Sequence, residues 1–374
     1  MDMLTTYILP FLAILTILVF VHEMGHYLIA RRAGVRVETF SIGFGPELVH
    51  WTDRVGTRWR IALVPLGGYV KMFGDSDPTS AGAADDGEMT DEEKAVSFHH
   101  KSLGARSAVV AAGPIANFLF AIVILALLYG ISGRPYAPAV VDEVVPDSAA
   151  SAADLQAGDK FLSVDGTTVT EFGDLRGYVF ERPGQPILAE IERDGQVLEI
   201  TLTPTSRTEV DRFGIERTFG QLGVRSSSMS REYPGPVKAV GLAVAESWSI
   251  AKQTIVGIGE MIAGVRGTED LGGPLRIAQM SGEVAQMGIA TTIWFVAALS
   301  VTLGVVNLFP VPILDGGHLF FYALEWVRGR PLGEKVQEAA AYAGLALVVS
   351  LMLFVTWNDL IQLKVIEFFG SLVG

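Results

Sequence analysis

The chain has 374 residues, half of them hydrophobic and only 18% charged, with a mean hydropathy of +0.39, whereas an ordinary soluble enzyme carries about a quarter charged residues. Cysteine is absent, which excludes a disulfide framework, a thiolate nucleophile and thiolate metal ligands. With 41 acidic against 28 basic residues, a net charge of −13 and no basic tract, the chain lacks the electrostatic footprint of a nucleic-acid binder.

Uncharged intervals predict four membrane spans. The first begins at Tyr7 and runs to Arg31, interrupted by His22, Glu23 and His26; the second lies between Arg106 and Arg134, the third between Glu283 and Asp315, and the fourth between Glu338 and Asp359. Each meets the roughly 20 residues that a hydrocarbon core about 30 Å thick requires. Pro236 to Met261 is apolar too, but Lys238, Glu246, Lys252 and Glu260 divide it. It reads as an interfacial helix, with a fifth span as the alternative. Arg31, Arg32 and Arg36 follow the first span, and Lys101 and Arg106 precede the second. Bases near span ends favour the cytoplasmic side, so both termini are expected outside, residues 31–106 inside and residues 134–283 outside. The first segment lacks a basic leader and is not expected to be a cleavable signal peptide.

Between the first two spans, Val37 to Ile42 and Trp59 to Val64 read as short strands, followed by Pro65-Leu66-Gly67-Gly68-Tyr69-Val70. A β-hairpin against the membrane is expected there, provided protein or water satisfies its edges. Residues 74–96 are rich in Ala, Gly and Asp and read as a mobile linker.

The outside segment begins with a strand at Ala139 to Val145, then Lys160 to Val164, a helix over Glu171 to Phe180, and a hairpin of Ile187 to Arg193 with Gln196 to Leu202. Pro146-x-Ser148-Ala149-Ala150, Leu155-x-x-Gly158-Asp159 and Val164-Asp165-Gly166 carry a resemblance to a bacterial PDZ domain. That resemblance implies a peptide groove between the early strand and the helix, used for strand addition; passive shielding of the membrane part is the alternative.

His22-Glu23-Met24-Gly25-His26 is the pattern His-Glu-x-x-His. Residues four apart share one helix face, so both imidazoles can hold one zinc, with Glu23 as general base toward water. His22 lies about 22 Å along a helix from Tyr7, which puts the metal within the membrane nearer the cytoplasmic face. A catalytic zinc has three protein ligands and an open position. His50, His99 and His100 lie in the cytoplasmic connection; the third interval instead ends Asn307-Leu308-Phe309-Pro310-Val311-Pro312-Ile313-Leu314-Asp315-Gly316-Gly317-His318. Two prolines break regular helix there and the glycines permit close backbone approach. Asp315 is the expected third ligand, Asn307 a donor to the developing oxyanion or a local helix contact, and His318 a nearby support.

These residues, with Gly113-Pro114-x-Ala116-Asn117 in the second span and Asn307-x-x-Pro310-x-Pro312-x-Leu314-Asp315-Gly316, resemble the site-2 metalloproteases, and among them the RseP-type regulators of sigma-E protease. The likeness covers nearly the whole chain. It implies a polytopic α-helical protein of the bacterial inner membrane with four transmembrane helices, a membrane-associated β-hairpin and one periplasmic PDZ domain. By it His22, His26 and Asp315 bind Zn2+, Glu23 activates water, Asn307 assists the scissile peptide, Gly67, Gly68 and Tyr69 hold substrate extended, and Asn117 handles substrate or packs the core. It also implies single-span membrane protein substrates: an anti-sigma factor already trimmed by another protease, or remnant signal peptides. A scaffold or transporter that recruits peptides is the competing class, and leaves the ligand set without work. Enteric members carry two tandem PDZ domains, whereas one pattern is visible here. The expected divisions are 1–133, 134–205 for the PDZ domain, 206–283 as linker and amphipathic helices, and 284–374.

Overall fold

The computed structural model describes residues 3–75, 89–210, 216–264 and 272–362. Contacts divide the chain into two units, Met1–Leu128 with Val237–Gly259 and Gly267–Gly374, and Tyr129–Pro236 with Glu260–Arg266. Among the described residues, four helices are long and apolar enough to cross a membrane: Leu4–Arg32, Leu103–Ser132, Ile289–Asn307 and Lys335–Ile361. They coincide with the four uncharged intervals.

The first unit opens with a π-turn, Leu4–Ile8, leading into α1 (Leu9–Arg32), whose last turn carries Arg31 and Arg32. Cations there complement the carboxyl end of the helix dipole. The hairpin that follows is longer than the expected short strands: β1 is Val37–Thr52 and β2 is Arg58–Met72. Its register is double. Phe40 faces Val70 on one side and Trp59 on the other, and Ile42 faces both Gly68 and Ile61. The second half of β1 then pairs back, Glu47 with Ala62 and Thr52 with Arg58. The first half of β1 is therefore central, and the last run of β2, from Gly68 to Met72, pairs with it along one side only. Asp53 fastens the hairpin to α1: its carboxylate accepts the indole N–H of Trp59 at 2.9 Å and the Tyr27 hydroxyl at 3.3 Å. Phe44, Leu48, Trp51, Leu63 and Leu66 remain exposed, an apolar surface suited to lipid rather than water.

Of the expected linker, residues 76–88, including Asp85-Asp86, lie outside the described residues. Its end departs from the expectation. Residues Asp91–Val96 form α2, started by a reciprocal Thr90–Glu93 capping box. The chain after it is held by backbone bonds, Arg36 N–H to Val96 O at 3.0 Å and Phe98 N–H to Phe73 O at 2.8 Å. The acidic composition masked a cap signature, because acids in a first helical turn are favourable. Next comes α3 (Leu103–Ser132), with Pro114 inside it.

In the second unit, β3 (Arg134–Tyr136), β4 (Glu143–Val144) and α4 (Ala149–Ala152) precede β5 (Lys160–Val164), β6 (Thr167–Thr168) and α5 (Phe172–Phe180). The hairpin β7 (Ile187–Arg193) and β8 (Gln196–Leu202) falls where it is expected, around Asp194-Gly195, and completes a sheet ordered β6-β5-β7-β8. Asp165-Gly166 and Asp194-Gly195 all take positive φ, the conformation that tight hairpin turns require. The core holds Val141, Phe161, Val164, Leu175, Val179, Ile187, Ile191, Leu202 and Leu222. Asp159, fully buried, is held by the Arg193 fork at 2.6 Å and by Gln156 N–H at 2.8 Å. Both outweigh burial, which acts to raise its pKa, and the carboxyl stays below its ordinary value.

The unit does not stop at residue 205. A hairpin of β9 (Thr205–Val210) and β10 (Glu216–Gln221) follows, then β11 (Val224–Arg225) pairs with β4 and β12 (Ser230–Glu232) pairs with β3. The reading of 206–283 as linker and amphipathic helices is thus corrected over its first part, which carries these strands. These strands have two or three residues and distant partners, so no local alternation announces them. Asp142 pins the return, accepting the Ser228 hydroxyl and the N–H groups of Ser227 and Ser228. Those bonds, the Ser228 hydroxyl first, hold its pKa down to about 2.

The chain re-enters the first unit through α6 (Pro236–Ile262). Ala239, Ala243, Ser247 and Ala251 are its buried residues at every fourth position, a seam of small side chains that allows close helix approach. Then come α7 (Pro274–Gln286), α8 (Ile289–Asn307), α9 (Asp315–Arg328) and α10 (Glu334–Gln362). Asp359 of α10, 1% exposed, caps α7 from outside by accepting the N–H groups of Gly273, Leu275 and Arg276 at 2.9–3.1 Å. Arg106 at the start of α3 reaches Glu325 of α9 at 2.6 Å.

Candidate metal centre

Three elements converge on one point. α1 supplies His22 and His26 from successive turns, and Asp315 is the first residue of α9, where the helix dipole favours an anion. The loop before α9 folds back tightly: a Cβ on Gly316 would stand 2.2 Å from the Leu308 carbonyl oxygen, and one on Gly317 2.2 Å from that of Val311. Only glycine admits that crossing, and it carries Asp315 back beside the end of α8.

His22 Nε2 stands 3.1 Å from Asp315 Oδ2, His26 Nε2 lies 3.5 Å from Asp315 Oδ1, and the two Nε2 atoms are 3.2 Å apart. Among the described residues this is the one group of three or more such side chains able to hold a metal. Its chemistry fits a cation. Asp315 Oδ2 is buried without a hydrogen bond, and two ring nitrogens face each other across the gap. Ligand atoms ~2.0–2.2 Å from a tetrahedral zinc stand about 3.3 Å from one another, close to the spacings present. Both rings turn their Nδ1 atoms away: that of His26 donates to Val109 O at 2.9 Å, and that of His22 meets the Asn117 amide at 3.2 Å.

α3 makes the room. A Cβ on Gly113 would lie 2.2 Å from His26 Nε2 and 2.8 Å from His22 Cε1, and one on Gly25 would lie 2.3 Å from Ala112 O. Pro114 lacks the N–H that would bond Val110 O. Gly113 had no individual role in the sequence reading, although a glycine before a proline inside a span is a visible signal of close approach.

Glu23, on α1 between the two histidines, lies beside the ligands and close to the outer run of β2. A Cβ on Gly68 would meet Val19 Cγ1 at 2.8 Å and Glu23 Cγ at 3.4 Å. Gly67, with φ +154°, packs against the Phe44 ring, which stacks with Tyr69 at 6.2 Å. The residues expected to hold substrate thus lie on the strand that borders Glu23.

Asn307 is the last residue of α8 and half-buried. Asn117 is fully buried beside His22. His318 stands outside the three-residue group. His50 pairs with Glu47 at 3.5 Å, His99 with Asp75 at 3.9 Å, and His100 with Ser97 at 3.1 Å.

In the second unit a groove of about 890 Å³ runs between α5 and residues 219–227. Leu175, Val179 and Phe180 line one wall, and Leu222, Gly223 and Val224 the other. The expected groove beside the early strand is corrected: β4 is covered by β11, so it is the returning strand that faces the helix.

Known proteins match this chain over nearly its whole length. A relative from Agrobacterium fabrum, provisionally named a zinc metalloprotease, is 46% identical over 96% of this chain and 97% of its own. The regulator of sigma-E protease RseP of Salmonella typhimurium is 33% identical over 94% of this chain and 98% of its own. Among solved structures, the PDZ domain of an SdrC-like protein from Listeria monocytogenes is 18% identical over 25% of this chain and 90% of its own, with a TM-score of 0.19. The family described as Peptidase family M50 matches residues 10–351, and the chain belongs to that family.

Proposed function

We propose that the protein is a zinc-dependent intramembrane endopeptidase of the bacterial inner membrane, which hydrolyses peptide bonds in single-span membrane proteins. The observation that carries this reading is the placement of His22, His26 and Asp315 within 4.8 Å of one another beside Glu23, with the histidines and Glu23 on a helix apolar enough to span a bilayer.

His22, His26 and Asp315 hold the ion, which when bound supplies Lewis acidity toward water and a carbonyl oxygen. Glu23 takes the proton from the attacking water and returns it to the leaving nitrogen. The Asn307 amide donates to the developing oxyanion. A substrate helix must unwind first, because its own hydrogen bonds shield the scissile peptide. The run from Gly67 to Val70 receives the unwound chain by strand addition, which replaces the backbone bonds lost in a medium without water. Residues 31–106 face the cytoplasm, the PDZ-like unit faces the periplasm, and the metal lies nearer the cytoplasmic face. The α5 groove selects substrates by their outside segments. An anti-sigma factor already trimmed by another protease, and remnant signal peptides, both have the required single span.

The test uses purified full-length protein and a single-span model substrate in detergent. Cleavage that stops on chelation and returns with zinc supports the proposal; cleavage that persists in metal-free protein overturns it.

A further inference from the structure

A histidine that binds a metal through one ring nitrogen donates its other N–H to an oriented acceptor, which fixes both tautomer and ring angle. His26 has such an acceptor in the Val109 carbonyl, at 2.9 Å from Nδ1. A backbone carbonyl inside a helix is fixed in place. For His22 the group at Nδ1 is the side-chain amide of Asn117, at 3.2 Å. As placed, Asn117 turns Nδ2 toward the ring and leaves Oδ1 buried without a hydrogen-bond partner. Two donors cannot share that contact: an N–H from Asn117 would need an unprotonated Nδ1, and the ring proton would then sit on Nε2, facing Asp315. Amide oxygen and nitrogen are exchanged by a half-turn that leaves the other atoms in place. With the oxygen facing Nδ1–H, the Nε2 lone pair points at the metal position.

A second contact holds the Asn117 backbone. Ser300 of α8, fully buried, donates its hydroxyl to the Asn117 backbone carbonyl at 2.9 Å. That bond ties α3 to α8 at the residue facing His22. Asn117 itself is fully buried, so water cannot stand in for the acceptor.

We propose that Asn117 is a positioning residue for the metal centre: its side-chain oxygen accepts the Nδ1–H of His22, holds that imidazole in the metal-binding tautomer, and thereby sets the affinity for zinc. The proposal rests on the zinc-hydrolase reading above. His22 is the ligand whose orientation depends on a side chain, and so the one that a single substitution can loosen without touching a ligand.

The test compares Asn117→Asp, which keeps an oxygen acceptor and has no amide N–H, with Asn117→Leu, which keeps similar bulk and has no acceptor. Zinc retention by full-length protein is read by chelator competition, and ligand geometry by the visible absorption of the cobalt-substituted form. The leucine variant should hold zinc about 10–100-fold more weakly and show an altered cobalt spectrum. The aspartate variant should stay within about threefold of wild type and keep the wild-type spectrum. Leucine protein with wild-type zinc affinity overturns the proposal, as does aspartate protein that loses zinc as readily as leucine. Should the leucine variant fail to fold, the aspartate variant decides alone, since an amide acting through its N–H is not replaced by a carboxylate. Wild-type protein that binds no zinc removes the underlying reading; wild-type zinc binding indifferent to residue 117 removes this inference only.

Discussion

Gly113 has no side chain, and that is its function. A methyl group there would occupy the space of His26 Nε2 and press on His22 Cε1. Neither imidazole can retreat far, because each is held at Nδ1. Gly113→Ala should therefore lower zinc affinity on the order of 100-fold, with the helix itself favoured by the change. Elemental analysis after dialysis against a weak chelator measures the effect. Asp142 offers a residue-scale test in the other unit. Its pKa of about 2 lies below the ordinary aspartate value of about 3.9. A carboxyl depressed on folding contributes stability that is full above the unfolded pKa and is lost as pH falls through the folded one. Thermal unfolding of the full chain should show the unit weakening between about pH 4 and pH 2, and Asp142→Ala should flatten that dependence.

At the scale of elements, Asp359 does for α7 what a local cap does for other helices. Gly273 at the N-cap position offers no side chain, and the carboxylate from α10 accepts three N–H groups instead. Asp359→Ala leaves those donors buried and unmatched, at a cost of roughly 1–3 kcal/mol. Asp359→Asn keeps an acceptor and should lose less; thermal midpoints in detergent compare the two. The sequence made some elements plain and hid others for physical reasons. Uncharged length marked the four spans, and the Asp194-Gly195 turn between two apolar runs marked β7 and β8. The ligands were legible because ionisable groups in an apolar span demand a partner. Short strands such as β11 and β12 exist only through distant partners, so nothing near them in sequence marks them. The double register of β1 was hidden for the same reason, since each half of a strand can choose its neighbour only once the chain has turned. Asn117 was visible only as part of the second-span motif, and its contact with His22 depends on how closely α1 and α3 approach, which Gly25 and Gly113 decide.

For the whole molecule, the return of residues 219–232 to the second unit changes how its role must be tested. Removing residues 139–203 would take β4 and strand its partner β11; removing residues 134–232 takes complete strand pairs. The longer deletion should keep zinc bound and relax discrimination against substrates with large outside segments. Unchanged selectivity across a series of such sizes would favour passive shielding. The native chain has no cysteine, so single cysteines report topology without background. A cysteine at Gly195 should react with an impermeant reagent from the periplasmic side, and one at Gly34 only after the membrane is opened; the reverse pattern would invert the orientation. The central claim is that Glu23 carries the proton for a metal-dependent hydrolysis, and Glu23→Gln tests it most directly. The substitution keeps side-chain size and leaves His22, His26 and Asp315 untouched. Purified Glu23→Gln protein, assayed against a single-span substrate, should retain wild-type zinc and thermal stability while losing activity by on the order of 10²–10⁴-fold. Cleavage at the wild-type rate by that zinc-loaded variant would contradict the account.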